Sequence, residues 1–119
     1  MSGPPYQWSV FVVDLDPTVG SEQSGRRPVL VVSREVANVP LPVVTALPVT
    51  SHRQGRRVYP NEVLLPAGTA GLDRDSVVMV HQIRAVSKRR LGARLGTVED
   101  QELRAAVRAA VRVQLDLDD

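Results

Sequence analysis

The sequence predicts a mainly β fold with helical additions (α+β), a small antiparallel barrel followed by a C-terminal amphipathic helix. Three observations lead there. The chain has 119 residues, enough for one core that buries roughly two-thirds of the unfolded surface, so residues 1–119 are expected to form a single domain. Apolar, β-branched runs alternate with Gly-, Pro- and Asp-bearing turns as far as Val86. From Thr97 the apolar spacing changes from strand-like to helical.

Val10–Leu15 (VFVVDL) reads as the first strand, ended by Asp16-Pro17. Thr18–Arg27 is polar, contains Gly20 and Gly25 and has no apolar period, so it reads as a loop. Pro28–Ser33 (PVLVVS) is a second strand, apolar enough to be buried on both faces, with proline tolerated at its first position because no ladder donor is needed there. Val43–Val49 (VVTALPV) is a third, and Pro48 within it points to an edge or a bulge. Ser51–Arg57 (SHRQGRR) is a basic loop, Glu62–Leu65 a short strand and Ala67–Asp75 a connector. Ser76–Val80 and Ile83–Val86 add one or two strands, for five or six in all. Leu103, Ala106, Val107, Ala110 and Val111 then form the stripe of a helix with Thr97 as its expected N-cap and acids in its first turn. Arg104, Arg108 and Arg112 run beside the stripe as a solvated row, with Asp100 placed to pair with Arg104.

Composition narrows the function classes. There is no cysteine, hence no disulfide framework or thiolate metal site, which suits a reducing cytosol. The longest predominantly apolar stretch, Val39–Val49, has 11 residues and three prolines, short of the ~20 a membrane span needs. The first residues (MSGPPYQ) lack the basic start and apolar run of a signal peptide, so a cytoplasmic protein is expected, with no membrane partner. The net charge of +2 is a sum over uneven segments: residues 26–57 and 76–112 carry +5 each, and the three segments around them are acidic. Fourteen of the 15 basic residues are Arg, whose planar fork of donors suits phosphate.

Familiar catalytic patterns do not occur. His52 and His81 have no partners at metal-ligand spacing, Asp14 and Asp16 have no third carboxylate, and there is no GxSxG, P-loop or GxGxxG. No metal or cofactor is expected. What stands out is the polar loop Asp16–Arg27 running into a buried strand, with Arg27 at the junction where the barrel can hold it.

That run, DPTVGSEQSGRRPVLVVS, resembles the signature of the MazF/PemK (Kid) family of toxin endoribonucleases. The resemblance continues through Pro48-Val49-Thr50-Ser51, Gly71-Leu72, Asp75-Ser76-Val77-Val78 and His81-Gln82-Ile83-Arg84-Ala85-Val86, and spans Trp8 to about Val113. It departs at Trp8-Ser9, where many members have Gly-Asp. It implies an SH3-like barrel and a homodimer that cuts single-stranded mRNA at short sequences without a metal. The 2′-OH attacks, leaving a 2′,3′-cyclic phosphate and a 5′-OH. It also implies a cognate, MazE-like antitoxin, with operator DNA bound only through the antitoxin complex.

The family's catalytic Arg before the signature Pro falls on Arg27, and its Thr partner on Thr50. Arg27 can stabilise phosphorane oxygens but keeps its proton, so the general base is left unassigned, with Glu22 and His52 near enough in sequence to be considered. Expected substrate contacts are Glu22 and Gln23 in the signature loop, Ser51 beside Thr50, Arg53, Arg56 and Arg57 in the basic loop, and Gln82. Gln23 and Gln82 suit base edges, and the arginines suit phosphates or stacking. Two other readings stay open: a non-enzymatic gyrase poison of the CcdB type on the same barrel, and an RNA-binding module that does not cut.

Overall fold

The computed structural model describes residues 5–15 and 25–117. The signature loop at 16–24 lies outside the described residues, and with it Glu22 and Gln23. The described chain forms β1 (Ser9–Asp14), β2 (Arg26–Val31), α1 (Glu35–Asn38), β3 (Val43–Ser51), β4 (Glu62–Leu65), β5 (Ser76–Met79), β6 (Arg84–Ser87), β7 (Leu91–Thr97) and α2 (Gln101–Leu115). Every strand pairing is antiparallel, in the spatial order β4-β5-β3-β2-β1-β7, with β6 also on β3.

The sheet is open, since its end strands β4 and β7 do not pair with each other. The barrel expected from the sequence is thus an open seven-stranded sheet, with a turn packed against its β7 edge. The 3-10 turn Thr69–Gly71, between β4 and β5, lays its backbone against Leu95 and Gly96 of β7. Gly71 has a φ of +77°, and a Cβ there would collide with the Leu95 carbonyl; a Cβ on Gly96 would collide with the Ala70 backbone. Glycine is required at both positions by the close approach of two main chains.

Several boundaries differ from those expected, each for a tertiary reason. The second strand begins at Arg26, because Arg26 and Arg27 pair with Asp14 and Val13, so Pro28 is its third residue. Pro28 is still tolerated: it precedes the first β2–β3 pair, Val29 with Pro48. Nor is β3 an edge. It pairs with β2 on one side, and on the other with β6 through Val43–Ala46 and with β5 through Val49–Ser51. Pro48 falls in the change of partner, where its missing N–H is not needed. The strand β7 and the helix α1 carry too little apolar period to be read locally. LGARLGT has two glycines and one β-branched residue, and it is held by β1 through an irregular register.

Period-two alternation sends Val10, Leu30, Leu47 and Val49 to one face and Phe11, Val13, Val29, Val31 and Val44 to the other. The first face meets Val107 and Ala110 of α2, while Ala106 of the expected stripe is exposed. The N-cap of α2 is Asp100 and not Thr97, which still belongs to β7 opposite Ser9. Asp100 Oδ1 accepts the Glu102 and Leu103 N–H groups at 2.8 and 3.1 Å. Arg104 does not pair with Asp100 as a salt bridge but donates from Nε to the Val98 carbonyl at 2.7 Å. Trp8 is 4% exposed, and the Arg104 and Arg108 guanidinium groups lie 5.4 and 5.0 Å from its ring centroid.

Candidate active site

Arg27 sits in β2 and Thr50 near the end of β3. Arg27 pairs with Val13 of β1 and Thr50 with Val77 of β5, just beyond the Val29–Pro48 pair that joins β2 to β3. Both line a cleft of about 370 Å³ whose walls also include Arg26, Ser51, Asp73 and Arg74. Pro28 and Val49 fix the strand backbones at its side, and Gly71, held against β7, contributes to its rim. Arg27 is exposed and Thr50 half-buried, so a guanidinium and a hydroxyl are offered from a rigid sheet to solvent.

The cleft is cationic. Among the described residues that line it, Arg26, Arg27 and Arg74 stand against one carboxylate, Asp73. The segment carrying Asp73 and Arg74 is pinned at its C-terminal end. Asp75 Oδ1 accepts the Ala67 N–H at 2.8 Å, the Asp75 carbonyl accepts the His52 N–H at 2.8 Å, and Ser76 Oγ donates to the Arg74 carbonyl at 3.0 Å. Arg26, Asp73 and Arg74 were not singled out from the sequence. The signal that could have found the latter two is the charged run Asp73-Arg74-Asp75 between the resemblance blocks Gly71-Leu72 and Asp75-Ser76.

Of the other expected contacts among the described residues, Arg53, Arg56, Arg57 and Gln82 do not line the cleft. Ser51 does, as the last residue of β3 and not the first of a loop. Arg56 belongs to a separate, larger groove of about 830 Å³ beside Tyr59, Asn61, His81, Val113 and Gln114. Size does not choose between the two, because only the smaller cleft brings together donors able to grip a phosphate. Arg56 Nη2 is 2.8 Å from Glu62 Oε2, and the Glu62 side chain is only 2% exposed. Burial acts to raise the Glu62 carboxyl, but hydrogen bonds from Arg56 and from the Tyr59 N–H, with the charges of Arg56 and His81, outweigh it and hold it below 4.5. Arg57 stacks over Tyr59 at 5.1 Å, and Arg53 is exposed.

His52 is engaged elsewhere: its Nε2 lies 3.0 Å from the Arg56 carbonyl, which can only accept. It is not a wall of the cleft, and neither is Gln82, which ends the 3-10 turn Val80–Gln82. Among the described residues no three His, Cys, Asp or Glu side chains come together as a metal site, and no helix is long and apolar enough to cross a membrane.

Residues 6–115 match the family model of PemK-like, MazF-like toxins of type II toxin-antitoxin systems. The chain belongs to the MazF/PemK toxin family. It is 41% identical over 113 residues to endoribonuclease MazF9 of Mycobacterium tuberculosis, covering 91% of this chain and 93% of that one. The fold is similar to crystalline MazF from Deinococcus radiodurans, with a TM-score of 0.79 and 31% identity over 98% of this chain and 100% of that one. It is also similar to a chain of the Deinococcus MazE-MazF complex, with a TM-score of 0.72 and 27% identity over 99% and 100% of the two chains. MazF membership favours a nuclease over the gyrase poison and the non-cutting RNA binder, and makes this chain an endoribonuclease toxin.

Proposed function

We propose that this MazF-type endoribonuclease cuts single-stranded mRNA at short sequences without a metal ion, with Arg27 and Thr50 as its catalytic residues. The observation that carries the reading is their meeting in one cationic cleft. The 2′-oxygen bonds to the adjacent phosphorus as the P–O5′ bond breaks. The 2′-OH proton passes to a base or to water, and O5′ gains a proton. The products are a 2′,3′-cyclic phosphate and a 5′-OH. Arg27 directs two N–H donors at the non-bridging oxygens, where negative charge grows, and Thr50 donates its hydroxyl to the same group. Arg26 and Arg74 hold neighbouring phosphates, with Ser51 beside them.

The working unit is a homodimer with RNA along the groove between protomers. It acts in the cytoplasm, where its substrate is, and needs no cofactor. A MazE-like antitoxin with an acidic inhibitory segment blocks the groove. Support comes from the charge of the cleft and from the similarity to MazF of the Deinococcus MazE-MazF complex. Operator DNA is bound only through the antitoxin complex. The test is incubation of the purified protein with a long single-stranded RNA in excess EDTA, followed by mapping of both ends. Cuts with cyclic phosphate and 5′-OH termini are expected; cutting only after metal is restored would overturn the mechanism.

A further inference from the structure

We propose that the groove between the loop after β3 and helix α2 is a base-reading subsite, in which Tyr59 stacks one unpaired base of the RNA and the Asn61–Gln114 amide pair reads its edge. This rests on the endoribonuclease reading and adds to it a specificity site outside the cleavage cleft. The chain has four aromatic residues. Trp8 and Phe11 are buried and Tyr6 is half-buried, which leaves Tyr59, 50% exposed, as the most accessible of the four. Single-strand recognition depends on rings and guanidinium planes that stack bases, and here both occur together, with Arg57 lying 5.1 Å from the Tyr59 centroid.

The platform is held before any ligand arrives. Glu62 N–H donates to the Tyr59 carbonyl at 2.8 Å, and Glu62 Oε1 accepts the Tyr59 N–H at 3.1 Å, closing the turn on itself. Arg56 matches the charge of that buried carboxylate, so it is a positioning residue for Tyr59. Because Arg56 and Glu62 neutralise each other, the groove presents a ring and amides rather than a bare charge, which suits a base better than a phosphate.

The edge reader is the second element. Asn61 Nδ2 donates to Gln114 Oε1 at 3.0 Å across the mouth of the groove, joining the loop to α2. Asn61 Oδ1 and Gln114 Nε2 make no further hydrogen bond among the described residues, so the pair offers one acceptor and one donor. An unpaired base carries complementary groups side by side on its edge. The β4–β5 hairpin joins the two sites, since Ser76 lines the cleft while Glu62 pairs with Met79 beside the groove. Ser76 and Met79 are three positions apart on β5, roughly 10 Å along the strand, so both sites border one short stretch of sheet.

The test uses full-length protein with Tyr59→Phe, Tyr59→Ala and Gln114→Met, each checked for an unchanged thermal midpoint. Binding is read with a labelled oligonucleotide pool whose 2′-deoxy sugars prevent cutting, and cleavage with an end-mapped transcript. Tyr59→Ala should weaken binding by about tenfold and raise KM more than it lowers kcat, while Tyr59→Phe stays near wild type. Gln114→Met should relax base preference at one position of the cut-site map. Unchanged binding in Tyr59→Ala, or an unchanged map in Gln114→Met, would overturn the subsite. If wild type binds the pool but never cuts, the endoribonuclease reading fails while the binding arm still judges the groove.

Discussion

Arg56 Nη2 sits 2.8 Å from Glu62 Oε2, and the carboxylate it meets is almost wholly buried. An arginine expected on sequence grounds to track phosphates is thereby committed to the protein's own framework. Arg56→Ala should therefore lower the thermal midpoint at neutral pH, which neither Arg53→Ala nor Arg57→Ala should do. The effect has a pH signature. Glu62 has a lowered carboxyl, so its contribution is complete above its ordinary value of 4.5 and is lost as pH falls through the lowered one. The gap between wild type and Arg56→Ala, followed by thermal unfolding, should close in that acid range.

Arg27→Ala removes the cleft's proposed charge stabiliser without touching the core. Cleavage of single-stranded RNA should fall by at least ~100-fold, with the circular dichroism spectrum and unfolding midpoint unchanged. Thr50→Val, which keeps the shape and deletes the hydroxyl, should lower kcat by a smaller factor. Activity of Arg27→Ala within a few-fold of wild type would mean that the phosphorane is held by another group.

Arg53 and Arg57 are exposed arginines of the same loop as the proposed base platform, Arg57 lying over Tyr59 and the Arg53 carbonyl accepting the Arg56 N–H. If they contact phosphates, each alanine variant should reduce the salt slope of RNA binding by roughly 0.7 per lost contact. Anisotropy titrations over a range of salt concentrations measure this directly.

Gly71→Ala should destabilise the fold by about 1–3 kcal/mol, because the new methyl group meets the Leu95 carbonyl at a positive φ. Gly68→Ala is the informative control. Gly68 also has a positive φ but open space around it, so its cost should be smaller. Urea unfolding of the two variants separates the clash from the backbone conformation.

Asn38 is fully buried and donates to the Ser33 carbonyl and to Glu35 Oε1, while its own Oδ1 accepts from Ser33 Oγ. Burial raises the Glu35 carboxyl, but the Asn38 bond and the Gln7 and Tyr6 N–H groups pull it below its ordinary value. Asn38→Ala strands several polar groups and should cost about 1–3 kcal/mol. Titration of Glu35 by NMR should show its carboxyl rising toward the ordinary value in the variant.

The sequence proposes Arg27 and Thr50 through a run of specific residues in a specific order, which carries the family resemblance, and both residues line one cleft. The strands that were legible, Val10–Leu15 and Glu62–Leu65 among them, have alternating or continuous β-branched side chains, a purely local signal. Leu91–Thr97 has none, and it becomes a strand only because β1 and the turn at Ala70 demand a close, glycine-bearing neighbour.

By itself, then, the sequence determined a β-rich domain, a terminal helix and a family resemblance that singles out Arg27 and Thr50 as the candidate pair. The tertiary structure decided what those parts meet. It packs the turn at Thr69–Gly71 against the β7 edge of an open sheet, brings Arg26 and Arg74 to the cleft of Arg27, and moves the helix cap from Thr97 to Asp100. It also ties Arg56 to Glu62, so the basic loop divides into a framework residue and exposed ones. The physical reason is one of range. Periodicity and turn chemistry act over a few neighbouring residues, whereas burial, charge pairing and backbone approach depend on groups that only folding brings together.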